Sequence, residues 1–342
     1  MAKTYSKTGT PRIALVGGET LLGRELREVL ETRGTGAVIT TYAASSEGNF
    51  DEEHGEAIYR DPLEAQSLAN EHAVLIAGSS EGALKAYGFA KAAGGRPVLI
   101  DCVGHLDHEP DARIIAPLLE EPNLKTSWLL VIAHPAASTL ALVLTRLANH
   151  KQIRRAVAQI FEPASERGKR GISELHQQTN SLLAFKAPDK EVFDAQLSFN
   201  LLAQYGEHAP FKLAEAEQRM ETHLATLLGG QRKVSVPMPS LRLIQAPVFH
   251  GYSISLWVEF DSDIQASALG EALGSAQIEV RGQDEEAPNN VGAASQSGLM
   301  AGDIRVDRND ARAAWLWIVG DNLRLTADAA ADLVTGLGTE LQ

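Results

Sequence analysis

The sequence predicts an α/β protein that combines a doubly wound parallel sheet with a second, α+β domain. Short apolar runs alternate with segments of helical periodicity up to about residue 133, as in successive βαβ units. The following part contains longer, alternating strands, which are typical of antiparallel sheets. A chain of 342 residues is long enough for two domains, each with its own core.

In the first part, the run RIALV at 12–16 ends in Gly17-Gly18 and is typical of a buried parallel strand. Apolar residues from Leu21 to Leu30 fall at helical spacing, with Thr20 as a candidate N-cap and Gly34 as a stop. Further strands are predicted at 38–41, 74–77, 98–102 and 128–133, and further helices at 62–71 and 81–93.

In the second part, Ser138 or Thr139 is predicted to open an apolar helix over 140–148. Strands are expected at 156–161, 248–260 and 316–319, helices at 172–185 and 213–228 and from Asp321, and a loop at 282–300. We therefore expect a dinucleotide-binding domain of residues 1–134 plus 321–342, with the α+β domain over 135–320.

The amino-acid composition limits the kinds of binding partner and environment that we expect. The net charge of −13 disfavours a nucleic-acid partner, which clustered Lys and Arg would bind. Cys102 is the only cysteine, so no intramolecular disulfide or cysteine-rich metal site is expected. No apolar run approaches the ~18 residues of a membrane helix, and we expect a cytoplasmic protein.

The turn Gly17-Gly18-Glu19-Thr20-Leu21-Leu22-Gly23 stands between the first strand and the first helix, where a dinucleotide pyrophosphate binds in such folds. Thr20 replaces the middle glycine of G-x-x-G-x-x-G, so a purely structural turn is the alternative. Glu47 is a candidate for the ribose hydroxyls or a solvated loop acid. The candidate cofactor-binding residues are Gly17, Gly18, Thr20, Leu21, Leu22, Gly23, Ser45, Ser46, Gly78 and Asn322.

From end to end the chain resembles aspartate-semialdehyde dehydrogenase, most closely the Usg-like members that lack the catalytic cysteine. The resemblance is carried by ALVGGETLLGREL, VLIDCVGHLDHEPDARIIAP, VIAHPAASTLALVL, SERGKRGISELHQQT, APVFHGYSI and VGDNLR. It implies a Rossmann-type cofactor domain, NADP or NAD, a homodimer, and a role linked to amino-acid biosynthesis. The implied reaction is reductive dephosphorylation of an aspartyl phosphate, or its reverse, through a cysteine thioester.

The same resemblance shows that the reactive positions are substituted. Its nucleophilic cysteine falls at Ala137 and its glutamine, ahead of an S-G-A-G loop, at Glu162. Its substrate arginine falls at Gln245, its acid/base histidine at Tyr252 and a phosphate arginine at Asp107. A lysine that helps hold phosphate falls near Glu217. Without a nucleophile the covalent route is lost.

Other side chains are candidates for a replacement chemistry, and each also has a plainer structural interpretation. Ser138 and His134 are candidates for a nucleophile and its general base. The alternative is that Ser138 only caps its helix. Cys102 is a reactive thiol or a small buried residue. The cluster His105, Asp107, His108 and Glu109 is a metal site or a solvated loop, and the loop is favoured, so we predict no metal. An anion-binding site is one interpretation of the basic residues Arg167, Lys169 and Arg170. A solvated charged turn is the other, and it is favoured.

Three functions compete at this point. The first is a non-catalytic homodimer that binds or interacts through the inherited scaffold, with a small molecule as one candidate ligand in its cleft. The second is a divergent NAD(P)-dependent oxidoreductase that acts on an aldehyde or oxo group without a cysteine, with Tyr252 as acid/base. The third is a heteromeric partner of a true dehydrogenase subunit. By resemblance Asn322 would reach the nicotinamide amide. The alternative is that Asp321 or Asn322 only caps the last helix.

Overall fold

The computed structural model describes residues 10–43, 49–53, 56–120, 127–231 and 234–341. The chain divides into two compact units. Unit 1 comprises residues 1–133 and 326–342, and unit 2 comprises residues 134–325. Ser45, Ser46 and Glu47 lie outside the described residues.

Unit 1 is built on a parallel sheet of six strands. The strands are β1 (Arg12–Val16), β2 (Val38–Tyr42), β5 (Ala73–Ile76), β6 (Val98–Asp101), β7 (Ala112–Ile115) and β8 (Leu129–Ile132). They are ordered β2-β1-β5-β6-β8-β7, and every neighbouring pair is parallel. The strand order reverses beside β1, so the ligand edge of the sheet is expected where β1 and β5 end.

Helices cover both faces of this sheet, which confirms the predicted doubly wound class. On one face α1 (Leu21–Thr32) packs with the part of α8 (Asn322–Leu341) that belongs to unit 1, through residues such as Leu26, Leu30 and Leu333. On the other face α2 (Ser80–Ala92) packs through Ala83, Ala86 and Ala90. The close packing of small residues brings α2 near the sheet.

Two details of unit 1 differ from the prediction. The expected helix at 62–71 is only a 3₁₀ turn, Ala65–Leu68, in which Glu64 and Ser67 form a capping box. A single turn has too few internal hydrogen bonds to propagate as an α-helix. The antiparallel pair β3 (Asn49–Glu53) and β4 (Glu56–Arg60), and strand β7, were not predicted.

Unit 2 contains a mixed sheet of six strands. They are β9 (Ile153–Glu162), β10 (Ser240–Gln245), β11 (Tyr252–Phe260), β12 (Ile278–Val280), β13 (Leu299–Val306) and β14 (Ala313–Gly320), in the order β10-β9-β11-β14-β13-β12. The three central pairings, β9·β11, β11·β14 and β13·β14, are antiparallel, whereas both edge pairings are parallel. The predicted antiparallel character is therefore confirmed, but β10, β12 and β13 were not predicted. The loop expected at 282–300 contains a helical turn at Asn290–Ala293 and the start of β13 at Leu299.

The helices of unit 2 are α3 (Pro135–His150), α4 (Gly168–Leu183), α5 (Leu213–Gly230), α6 (Ala266–Leu273) and the single turn α7 (Asn290–Ala293). The strand predicted from residue 248 begins only at Tyr252, after Gly251 with φ +82°. Among the described residues, no helix is both long enough and apolar enough to span a membrane.

Candidate functional site

The glycine turn of unit 1 connects β1 to α1 at the carboxyl edge of the sheet. Gly17 has φ +88°, and a Cβ there would lie 2.6 Å from the backbone of Gly78, which follows β5. A Cβ on Gly23 would lie 2.0 Å from the Gly17 carbonyl oxygen. Both glycines are therefore required for the close approach of the strands and the helix.

Thr20 is the N-cap of α1, as predicted. Its Oγ1 accepts a hydrogen bond from Gly23 N at 2.9 Å and lies 2.9 Å from Gly17 O and 3.0 Å from Ala77 O. The side chain thus connects the ends of β1 and β5 while capping the helix. The next residues, Leu21 and Leu22, present backbone N–H groups that helical carbonyls do not accept. The turn therefore combines these backbone N–H groups with a capping threonine side chain.

In unit 2, Ala137 lies in the first turn of α3. It is fully buried, at 0% exposure. The helix begins at Pro135, three residues before the predicted Ser138, because proline is well suited to the first helical position. His134 is the N-cap, so the interpretation of Ser138 as a cap was wrong. The Ser138 backbone N–H already donates to His134 O within the helix.

The contacts of His134 determine its tautomer. Its Nδ1 accepts from Ala136 N at 3.3 Å, and its own backbone N–H donates to Nδ1 of His223 at 3.0 Å. A backbone N–H can only donate, so the hydrogen of neutral His134 lies on Nε2. This nitrogen is 3.2 Å from the Tyr252 hydroxyl. Burial lowers the pKa of His134 well below its ordinary value, which keeps the ring neutral.

Glu162 and Arg167 form a buried ion pair close to Tyr252. Arg167 Nη2 contacts Glu162 Oε1 at 2.5 Å, and the two side chains are 11% and 1% exposed. The turn Ala164–Arg167 bends the chain, which lets the arginine return to the end of β9. The prediction of a solvated turn was therefore wrong for Arg167, although Lys169 and Arg170 are exposed.

Tyr205 and Gln245 complete this cluster. The Tyr205 hydroxyl lies 2.6 Å from Gln245 Oε1 and 3.3 Å from Glu162 Oε1, and it accepts from Arg167 Nε at 3.1 Å. Gln245 Nε2 donates to Glu162 O at 2.8 Å and to Ala246 O at 3.1 Å. Both amide hydrogens of Gln245 are thus used by backbone carbonyls, and its oxygen is used by a phenol. We call Glu162, Arg167, Tyr205 and Gln245 the buried quartet.

Burial dominates the titration of the quartet. It raises the pKa of Glu162 to about 7, although Arg167 lowers that pKa through its charge and Tyr205 and Tyr252 through hydrogen bonding. Burial also lowers the pKa of Arg167, but Glu162, Tyr205 and Glu166 together outweigh this and the net shift is upward. The pKa of Tyr252 is raised well above its ordinary value by burial, then by the nearby Glu166 and Glu162.

Asn322 lies at the beginning of α8 and is 1% exposed. Its Oδ1 accepts from Gly251 N at 3.0 Å and from Ser165 Oγ at 3.2 Å, and its Nδ2 donates to Glu166 Oε1 at 2.8 Å. Asp321, rather than Asn322, accepts from the first turn of α8, through Leu323 N at 2.9 Å and Arg324 N at 3.0 Å. Asn322 is therefore held by unit 2 itself.

The surviving SERGKRGISELHQQT segment has a structural role. Glu174, on α4, accepts from Val192 N and Phe193 N, and Gln178 accepts from Leu197 N at 2.7 Å. Gln178 also donates to Asp189 O and Ala195 O. These two buried side chains organise the irregular chain between α4 and α5. They explain why this motif is recognisable even though the reactive positions are substituted.

The remaining candidates lie elsewhere. In unit 1, Asp107 is only 3.5 Å from His108, whose side chain is 92% exposed, and His105 is 3.2 Å from Gly78 O. Cys102 is buried, and burial raises the pKa of its thiol. In unit 2, Glu217 Oε2 accepts from Leu243 N at 2.6 Å, which ties α5 to β10. Within the described ranges, no three His, Cys, Asp or Glu side chains are grouped to hold a metal ion.

Sequence reasoning missed the pairing of Glu162 with Arg167 and the contributions of Tyr205 and Glu166. Part of this pairing was predictable, because Glu166 and Arg167 stand where the resemblance expects the small residues of S-G-A-G. The acidic Glu162 and the basic Arg167 are five residues apart, which is consistent with one charge compensating the other. Tyr205 carried no such signal, because its contacts depend on the path of an irregular segment.

Comparison with known proteins places this chain among the semialdehyde dehydrogenases. The profile "Semialdehyde dehydrogenase, dimerisation domain" matches residues 144–325, more than half of the chain. A USG-1 protein homolog of Azotobacter vinelandii is 29% identical over 91% of this chain and 93% of its own. An aspartate-semialdehyde dehydrogenase of Rickettsia conorii is 28% identical over 95% and 94%. A probable aspartate-semialdehyde dehydrogenase structure from Pseudomonas aeruginosa superposes with a TM-score of 0.81, at 26% identity over 96% and 98%.

Proposed function

The chain belongs to the semialdehyde dehydrogenase family, and we propose that it is a non-catalytic member that acts as a homodimeric binding protein. The observation that carries this proposal is the buried quartet. By resemblance Glu162 and Gln245 stand at substrate-binding positions of the family. Here Arg167, Tyr205 and Gln245 donate hydrogen bonds within the quartet or to backbone carbonyls. Within the described part of the chain, Glu162 Oε2 is the one buried polar side-chain atom of the quartet left without a hydrogen bond. A site whose hydrogen bonds are already made gains little from a substrate.

The covalent route is absent at Ala137. Its methyl group is buried at the start of α3, where the family nucleophile would stand. The adjacent Ser138 lacks an activating base, because the Nδ1 of His134 is occupied by Ala136 N and its Nε2 faces Tyr252. A serine without a general base is a weak nucleophile. The chemistry of the family therefore has neither its own nor a substitute nucleophile at this helix.

The glycine turn fits the pyrophosphate of a dinucleotide better than unit 2 fits the nicotinamide. Gly17 and Gly23 retain the close backbone approach, and the amides of Gly18, Leu21 and Leu22 would hold the anion. When bound, NAD(P)H supplies hydride through its nicotinamide ring. By resemblance Asn322 would bind the ring's carboxamide, but its amide donates to Glu166 instead. We propose that this chain binds the adenosine diphosphate part and excludes the ring.

Dehydrogenase activity tests the proposal directly. Purified protein is incubated with aspartate semialdehyde, phosphate and NADP, and NADPH formation is followed by absorbance. We expect no turnover above a blank without protein, whereas an active family enzyme in the same buffer reduces NADP. Turnover by this chain would overturn the non-catalytic assignment.

The homodimer is proposed from the exposed face of the unit 2 sheet. Val157, Trp257 and Trp315 are paired across three adjacent strands, and Val157 and Trp315 are 40% and 42% exposed. Both indole N–H groups donate to Asp307 Oδ2, which fixes the rings in a flat apolar surface. Such a surface is typical of a protein interface, and this segment lies in the region matched by the dimerisation profile.

The dimer proposal is tested with Val157→Lys. A buried unpaired charge opposes association, so we expect the dissociation constant of the dimer to rise at least about tenfold in sedimentation equilibrium. Leu84→Lys is the matched control, because Leu84 is 52% exposed on α2 of unit 1. If both variants dimerise like the native chain, this face is not the interface.

A divergent oxidoreductase is the second candidate, and one observation favours it. The Tyr252 hydroxyl lies 3.2 Å from neutral His134 and near Glu162, which is an arrangement suited to proton transfer. Its weakness is that Tyr252 is only 2% exposed. A screen of aldehydes and keto acids with NADH and NADPH tests it, and turnover that is lost in Tyr252→Phe would establish it.

A further inference from the structure

Two buried carboxylates of unit 2 are held in different ways. In the part of the chain that the structure describes, the donors to Glu174 are all neutral: Val192 N, Phe193 N and the Gln178 amide. Glu162 instead faces the guanidinium of Arg167, and its Oε2 accepts no hydrogen bond of ordinary geometry from the described residues. The first carboxylate is a saturated structural acceptor. The second lies in a cationic site that it does not saturate.

Arg167 is itself arranged as an anion receptor. Its guanidinium lies 5.5 Å from the Tyr205 ring centroid and 5.6 Å from that of Phe211. The Tyr205 hydroxyl lies 3.3 Å from Glu162 Oε1. Aromatic rings that orient a planar guanidinium, together with a phenol hydroxyl, form a receptor for a carboxylate.

We propose that Glu162 is an internal ligand, whose carboxylate occupies a site in which Arg167 and Tyr205 would bind the carboxylate of a small organic acid. The charge and donors of this site suit a monocarboxylate, because one guanidinium neutralises one negative charge. Removal of the Glu162 side chain leaves Arg167 buried and uncompensated. A small carboxylate of matching size then replaces the missing group.

The test uses Glu162→Ala in the full chain, with sodium formate and sodium acetate as probes. We expect formate to raise the Tm of this variant in a saturable manner, by on the order of 5 °C, because it binds only the folded chain. Sodium chloride at equal ionic strength should not have this effect. Acetate should act more weakly, since its methyl group must enter the space left by the glutamate stem.

Two control variants make the result specific. Glu174→Ala removes a carboxylate of similar burial whose hydrogen-bond donors among the described residues are neutral, and formate should leave the Tm of this variant unchanged relative to chloride. The double variant Glu162→Ala with Arg167→Met should lose the formate response. Equal responses of Glu162→Ala and Glu174→Ala, or no formate response in Glu162→Ala, would overturn the proposal.

If Glu162→Ala does not fold in chloride, its refolding in formate is the measurement, and recovery supports the proposal. Glu162→Ser leaves a hydroxyl near Tyr205 and should destabilise the fold less. The same formate titration of its Tm can then be made. If neither variant folds or responds in formate, the proposal is wrong. The inference deepens the proposed function, on which it rests for its biological meaning, but its readout is anion binding. Dehydrogenase activity and dinucleotide binding can therefore fail or succeed independently of it.

Discussion

The glycine turn of unit 1 and the buried quartet of unit 2 show opposite outcomes at two sites of one family. The turn keeps its glycines where a Cβ would collide with backbone, so its geometry is intact around Thr20. In the quartet, by contrast, the side chains bind one another through an ion pair and hydrogen bonds. We propose that catalysis is lost where the protein's own side chains occupy the reactive site, while the surrounding scaffold is retained.

The largest effect is expected at Gly23. Gly23→Ala places a Cβ 2.0 Å from the Gly17 carbonyl oxygen, so the turn must shift, and we expect a loss of at least about 3 kcal/mol in the free energy of unfolding of unit 1. Urea unfolding measures this loss. Gly88→Ala is the control: it lies within α2 with nothing within 4 Å, and it should stabilise the protein by up to about 1 kcal/mol. Equal effects of the two changes would show that the turn is not tightly packed.

The next effect concerns pH and Glu162. Its pKa is about 7 in the folded chain against an ordinary value of 4.5, so the folded state binds the proton more tightly. The stabilisation from this group is complete below pH 4.5 and is lost as the pH rises through 7. As the pH rises from about 5 to about 8, we expect the free energy of unfolding of Glu162→Gln to increase by roughly 3 kcal/mol relative to that of the native chain.

The native chain alone does not isolate this effect. The pKa of His134 is lowered by burial, so His134 contributes stability that is lost as the pH falls below its ordinary value of 6.5. The difference between the two unfolding free energies cancels His134, because both proteins contain it. A pH-independent difference would mean that Glu162 titrates near its ordinary value.

A smaller effect distinguishes the helix-capping role of Thr20 from its proposed role in binding a pyrophosphate. Thr20→Ala removes the N-cap of α1 and should cost about 1 kcal/mol, measured by urea unfolding. Ser79→Ala removes the matching cap of α2, whose Oγ accepts from Gly82 N at 3.2 Å, and should cost about as much. Only Thr20→Ala should also change the affinity for ADP-ribose. An identical change in both variants would contradict a cradle at Thr20.

No effect is expected from Ala137→Cys alone. The variant has a thiol, but Gln245, Tyr252 and Glu162 still lack the functions that the family reaction requires. The assay is NADP reduction with aspartate semialdehyde and phosphate. Activity in this single variant would show that the reactive site is not filled, and the contrast with the glycine turn would disappear.

Local patterns were enough to predict the framework of unit 1. Strand β1, the Thr20 cap and helix α1 follow from residues close in sequence, and the structure confirms them. The helix expected at 62–71 was wrong because periodicity alone does not separate one turn from several. Strand β10 was not predicted, because an edge strand with exposed polar residues lacks a continuous run of apolar residues.

The candidate site was predictable as a set of substitutions, but not as a set of contacts. Resemblance identified Ala137, Glu162, Gln245 and Tyr252, whereas the partners Arg167 and Tyr205 depend on how a turn and an irregular segment return to β9. Glu162 and Tyr205 are 43 residues apart in sequence. Such pairings are decided by tertiary packing, which no local pattern records.

The most direct test is a pair of calorimetric titrations of the native chain, one with NADH and one with ADP-ribose, which lacks the nicotinamide. If the pyrophosphate cradle is retained and Glu166 holds Asn322, the two ligands should bind with dissociation constants within about threefold of each other. An affinity for NADH more than about tenfold higher would show that the protein also binds the nicotinamide ring. That result would contradict a reactive site filled by the protein's own side chains.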